Sequence, residues 1–147
     1  MSEAPHPSHW FRELLGRDGP LPPAAEHLGF RLVSVDSERG EVEGTFQARP
    51  EFANMLGGVQ GGFLAAMLDT TVSCSVLAVL PADHFAPTLQ LNISYLNTAP
   101  LGTLTGRGRV LRRGSSVAFL AGELYAPDGT VVTTATATVR VLRVRRA

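Results

Sequence analysis

Two features of one short stretch, NMLGGVQGGFLAAMLD from Asn54 to Asp69, bear on chemistry. The first is Asp69. It stands in an apolar, helix-like run that begins at Phe63 and continues to Leu80. Burying an ionised carboxylate is costly unless it is paired or hydrogen-bonded. Asp69 is therefore either a structural acceptor for nearby hydroxyls or backbone, or a general base or nucleophile in a sheltered cleft. The helix alone does not choose between these. The second feature is the pair Gly61 and Gly62 at the head of the run. Without side chains they let a ligand reach the backbone. The first amides of a helix lack internal partners and carry the positive end of its dipole. Such an amide can polarise a carbonyl and stabilise an oxyanion. Tight helix–sheet packing or phosphate binding would use the same glycines. A P-loop is excluded, because no Gly-Lys-Ser/Thr follows.

The spacing of these features carries a consequence. Gly61 and Asp69 are eight residues apart, roughly 12 Å along a helix axis. One small reacting group cannot touch both in the same chain. Two such helices, antiparallel about a two-fold axis, would bring Gly61 of one copy toward Asp69 of the other. The result would be two equivalent sites in an isologous dimer.

Other chemistries find less support. No GxSxG nucleophile elbow is present. His6, His9 and His27 lack metal-ligand spacing, and His84, in PADHFAP, reads as a surface or pocket-rim residue. No metal site is expected. The single cysteine, Cys74, cannot form an intrachain disulfide. It reads as a small buried hydrophobe in a reducing, cytoplasmic setting. Basic and acidic residues balance at 13 each, so a general attraction to nucleic acid or an anionic membrane is not implied. Asp69, Thr70, Thr71, Ser73 and Ser75 make the apolar run a poor membrane span. The first residues lack a basic stretch followed by an apolar one, so no signal peptide is expected.

The elements that must position Asp69 and the glycines follow from hydrophobic period. The 147 residues suit one domain. Residues 1–28 read as a prelude with a short helix carrying Trp10, Phe11, Leu14 and Leu15. Gly16, Gly19, Pro20, Pro22 and Pro23 end it. GFRLVSV and EVEGTFQA flank the turn DSERG and read as a hairpin. In its second strand Val42, Phe46 and Ala48 form the buried face. The long helix follows, apolar on all sides and so enclosed by sheet and by a partner chain. Pro81 stops it. A period of two then sets in. Leu89, Leu91, Ile93 and Tyr95 alternate with Gln90, Asn92 and Ser94, and three more Thr- and Val-rich strands follow, with turns at Gly114 and Pro127–Gly129. The final RVLRVRRA reads as an exposed edge strand. Short turns between strands imply antiparallel pairing. The layout is α+β, with a sheet of about five to six strands wrapped around one long central helix.

NMLGGVQGGFLAAMLD, LQLNISYLNTAP and RVLRRGSSVAFLAGELYAPDGTVVTTATAT together resemble the hotdog-fold acyl-CoA thioesterases of the PaaI-like (phenylacetate-type) group. The resemblance runs from about Gly29 to Val144, and residues 29–147 are taken as the hotdog domain. It implies hydrolysis of an acyl-CoA thioester without metal or cofactor, by homodimers that assemble as tetramers, with sites at the subunit interface. It further implies roles for matched positions. Asp69 activates water or attacks the thioester carbon. The Gly61 amide of the facing subunit binds the thioester oxygen. Asn54 lies beside the reacting centre, and the Thr88 hydroxyl holds the water or the carboxylate. Gln60 departs from the histidine common in relatives. Glutamine cannot act as acid or base but keeps hydrogen-bonding capacity. Gly62 and Phe63 are expected at the substrate, with Met67 and Phe85 setting pocket depth. Arg112 and Arg113, with Arg109, Ser115 and Ser116, are candidates for the CoA phosphates. A non-catalytic acyl or acyl-CoA binding protein is the alternative that Gln60 raises. A dehydratase fits less well, because no histidine follows Asp69 in its helix.

Overall fold

The computed structural model describes residues 21–144. The short helix carrying Trp10 lies outside them. Pro22 and Pro23 begin a different short helix, α1 (Pro23–His27), with Pro22 at its N-cap and Pro23 in its first turn. Proline suits that position because its missing N–H would have no helical partner anyway. The sequence reading treated these prolines only as a stop.

The expected hairpin is β1 (Arg31–Asp36) and β2 (Glu41–Ala48). Its turn is held by the Asp36 carboxylate, which accepts from the Glu38 and Arg39 amides at 3.0 Å each. A short 3-10 turn, Pro50–Phe52, leads toward the long helix α2 (Gly61–Leu77). Then come β3 (His84–Phe85), β4 (Thr88–Tyr95), β5 (Gly102–Arg113), β6 (Val117–Tyr125), β7 (Val131–Arg140) and β8 (Leu142–Arg143). The main sheet has six strands in the order β1-β2-β5-β6-β7-β4. All of its pairings are antiparallel.

α2 lies across one face of this sheet, above strand positions that have no side chain. A Cβ on Gly106 would sit 2.5 Å from Thr71 Oγ1, and one on Gly108 would sit 2.8 Å from the Thr71 carbonyl oxygen. One on Gly122 would sit 2.9 Å from Val72 Cγ1. Gly108 and Gly122 are cross-strand partners, so helix and sheet meet nearly backbone to backbone. Phe46, Met67, Leu68, Leu104, Leu120, Leu124, Val72 and Val76 fill the remaining core completely. The helix tolerates hydroxyls because they bond back to its own carbonyls. Thr70 donates to Ala66 at 3.1 Å, Thr71 to Met67 at 2.8 Å and Ser75 to Val72 at 2.7 Å.

Two expectations need correction and two gain detail. α2 ends at Leu77, not at Pro81, and residues 78–80 form a closing turn. Within one chain the sheet leaves α2 open along one stripe, the side on which a partner chain was expected. Gly62 and Ala66 are exposed, and Ala65, Asp69 and Ser73 are half-buried along the same stripe. The stretch read as an exposed edge strand divides among the described residues, with Arg140 closing β7. β7 lies between β6 and β4, and β8 pairs with β3 in a separate two-stranded ladder. Finally, the alternation in β4 is broken, since Leu89 and Tyr95 are more than half exposed while Leu91 and Ile93 pack inward. Among the described residues no helix is long and apolar enough to cross a membrane.

Candidate active site

The head of α2 is built by a rigid loop. Asn54 organises it, its side-chain oxygen accepting from the Leu56 amide at 2.9 Å and its own amide donating to the Gly58 carbonyl at 2.7 Å. Gly57 turns the chain at φ +87°, a conformation that disfavours any residue with a Cβ. The Val59 amide donates to Ala99 at 3.0 Å, and the Gln60 amide donates to Phe52 at 2.8 Å. Phe52 stacks on Phe63 with ring centroids 4.0 Å apart. Thus the loop is fixed at both ends, while its tip carries Met55 and Leu56, 98% and 88% exposed.

Gln60 is the N-cap of α2, but its side chain makes no capping bond. That side chain is exposed and has no hydrogen-bond partner among the described residues. The Gly61 and Gly62 amides, which come before the first internal helix bond, likewise have none among them. The two glycines differ in what surrounds them. A Cβ on Gly61 would press on the Tyr95 ring at 3.1 Å, whereas one on Gly62 would meet nothing within 4 Å. Gly61 is needed for packing, and Gly62 leaves the helix end open to an approaching group. A cavity of about 390 Å³ adjoins it, lined in part by Asn54, Gly61, Leu64 and Tyr95.

Two turns along the same helix, half-buried Asp69 accepts a 2.8 Å hydrogen bond from Thr88 Oγ1. Strand alternation alone would turn Thr88 away, on the side of Gln90, Asn92 and Ser94. A β-bulge corrects its aim. The register between β4 and β7 slips from Thr88↔Val139 to Gln90↔Thr138, leaving Leu89 unpaired. One extra residue moves everything before it to the opposite face. Thr88 therefore shares the helix side with the fully buried Val139. The structure thus brings Asp69 to Thr88 and Asn54 to Gly61, and it holds the two pairs at separate places in one chain.

The basic hairpin does not converge as the sequence reading proposed. Leu111 is bulged out between Val110 and Arg112, so Arg112 pairs with Phe119 on the outer face and Arg113 with Ala118 on the inner one. Arg113 donates to the Val79 carbonyl at 3.0 Å, which closes the end of α2. Arg109 is bound to Glu123 at 2.6 Å on the outer face. Ser115 and Ser116 sit exposed in the turn. A hollow of about 450 Å³ on that outer face is lined by Glu43, Arg107, Arg109, Glu123 and Tyr125. Both of its arginines are already paired, Arg107 to Glu43 at 2.9 Å and Arg109 to Glu123. Of the residues expected to set pocket depth, Met67 is wholly in the core and Phe85 is 37% exposed in the small β3–β8 ladder. His84 is half-buried beside Asp83 at 2.7 Å. Arg143 also binds Asp83 and holds its carboxyl below the usual range. Burial pushes the Cys74 thiol up to about 12, so it is inert at neutral pH.

Two features escaped the sequence reading. The Leu89 bulge has no sequence signature. The hydroxyl of Tyr95, at the far end of β4, donates to the Gly61 carbonyl at 2.9 Å. An aromatic in a strand reads only as packing.

Comparison with known proteins agrees with this fold. Residues 56–133 match the family model of the thioesterase superfamily. The solved phenylacetic acid degradation-related protein of Ralstonia eutropha JMP134 is 42% identical, with a TM-score of 0.84 over 89% of this chain and 98% of that one. A Streptococcus mutans UA159 protein solved bound to acetyl CoA is 26% identical, with a TM-score of 0.70 over 80% of this chain and 91% of that one. Human acyl-coenzyme A thioesterase 13 is 28% identical over 97 residues, 64% of this chain and 67% of the relative. With its helix-on-sheet architecture, this chain belongs to the thioesterase superfamily, as a hotdog-fold thioester hydrolase of the PaaI-like group.

Proposed function

We propose that this protein hydrolyses acyl-CoA thioesters at sites shared between two copies of the chain. One observation carries the reading. Asp69, anchored by Thr88, and the open amide end at Gly61 and Gly62 lie on one helix but too far apart to serve one carbonyl. The half-open stripe of Gly62, Ala66, Asp69 and Ser73 gives a second α2 a surface of small side chains to approach. An antiparallel, two-fold arrangement would then complete both sites.

In such a site the thioester oxygen lies at the helix end of one copy and the thioester carbon faces Asp69 of the other. Asp69 takes a proton from water as the water oxygen bonds to the carbon. The amide end holds the negative charge that develops on the thioester oxygen. Collapse of the intermediate breaks the C–S bond and releases CoA thiolate. The proton held by Asp69 passes to the thiolate or to solvent, leaving free acid and CoA. Direct attack by the carboxylate, followed by hydrolysis of the anhydride, uses the same groups. Thiolate is a good leaving group, so Gln60 in place of an acid is compatible with turnover. Gln60, free to reach across an interface, supplies a hydrogen bond instead.

Release of CoA from a panel of aryl- and medium-chain acyl-CoAs tests this. Turnover that Asp69→Asn abolishes supports the reading, and equal rates for both proteins contradict it. Gln60 favours one other reading, a module that binds acyl-CoA without cleaving it. Tight binding with no CoA release from the wild type would establish that one.

A further inference from the structure

We infer that Tyr95 is a positioning residue that holds and strengthens the backbone donor at the head of α2. This inference rests on the thioesterase reading above, and it concerns a residue to which that reading assigns no task.

β4 touches α2 through a hydroxyl at each of its ends. Thr88, its first residue, donates to Asp69. Tyr95, its last, donates to the carbonyl of Gly61 at 2.9 Å. An α-helix already uses that carbonyl to accept from the amide four residues on, so the phenol supplies a second donor to one oxygen. The carbonyl of Gly61 and the N–H of Gly62 belong to the same peptide unit. A hydrogen bond into the oxygen draws electron density from the nitrogen, so the Gly62 N–H becomes a better donor in turn. The phenol therefore acts on Gly62, whose surroundings are open, rather than on the Gly61 amide.

The ring adds a mechanical effect. It lies where a Cβ of residue 61 would be, 3.1 Å from that position at both Cζ and Oη. The peptide plane of Gly61 is thus gripped by ring contact and by a hydrogen bond. Glycine is otherwise the most mobile residue at such a place, and an oxyanion donor gives most when it need not reorganise during the reaction. The exposure of the ring, 54% in one chain, places it at the edge of the cavity shared with Asn54 and Leu64 rather than in the core.

The test is a series at position 95 on a thioester that the wild type hydrolyses. Tyr95→Phe keeps the ring on Gly61 and removes only the donor. It should lower kcat about three- to tenfold with KM changed less than about twofold. Fluorotyrosines placed at 95 should raise kcat in step with the acidity of the phenol, measured at a pH where every phenol stays protonated. Packing alone would not produce that gradient. Unchanged kcat in Tyr95→Phe, or a flat fluorotyrosine series, overturns the inference while leaving the thioesterase reading intact. Absence of wild-type turnover on every acyl-CoA would instead remove the reading on which it rests.

Discussion

The two ends of the chemistry proposed for α2 are built on opposite principles. At the head of the helix the proposed working group is backbone, and the sequence acts by leaving side chains out. Gly57 turns the loop, Gly61 admits the Tyr95 ring and Gly62 stays open. Two turns later the working group is a side chain. Asp69 is half-buried and anchored by a single 2.8 Å bond from Thr88. The first half-site fails when atoms are added. The second fails when one functional group is altered. One edge strand, β4, supports both, and the sheet fixes their separation because α2 rests on Gly106, Gly108 and Gly122 without intervening side chains.

Four substitutions would break or sharpen this contrast. The largest effect is expected from Asp69→Asn, which should lower kcat/KM by roughly two to four orders of magnitude in a CoA-release assay. Gly62→Val should follow, with a loss of about a hundredfold as its side chain covers the amide end. Within one chain the added atoms meet nothing within 4 Å, so the fold should hold, and an unchanged elution volume on size exclusion checks that two copies still associate. Thr88→Val should cost about three- to tenfold in kcat, by freeing the carboxylate, with Thr88→Ser restoring most of it. The smallest effect on rate belongs to Gly106→Ala. It leaves both half-sites untouched but presses on Thr71, so it should cost about 1–3 kcal/mol in a urea titration. Cys74 supplies a control for all four. With its thiol pushed up to about 12, any variant that keeps its core should resist thiol reagents at neutral pH.

The parts of this design that were legible in the sequence are those fixed by period and composition. The β1–β2 hairpin, the central helix and the run of antiparallel strands follow from alternation and turn residues. Asp69 stood out because a carboxylate in an apolar helix needs a reason. The parts that were not legible depend on register. A bulge at Leu89 turns Thr88 inward, and a bulge at Leu111 sends Arg112 and Arg113 to opposite faces. Neither leaves a trace in a hydrophobic pattern, since one extra residue changes the face but not the residue types. The partner of β8 was not legible because its alternation suits any edge strand, and pairing with β3 depends on where the chain leaves β7 at Val141. Thr88 was named through the family resemblance and not through its own strand, whose alternation points it the wrong way.

The central claim, that each site takes Asp69 from one copy and the amide end from another, has a direct test in mixed dimers. Asp69→Asn and Gly62→Val are each expected to be nearly inactive alone. Unfolded together, or co-expressed with separate tags, they form heterodimers in which one site carries both defects and the other carries neither. A statistical one-to-one mixture should then recover about a quarter of wild-type CoA release, and the purified heterodimer about half. If the two groups instead served one site within a single chain, no mixture would contain an intact site. Activity would then stay at the level of the separate variants, and the shared-site account would be wrong.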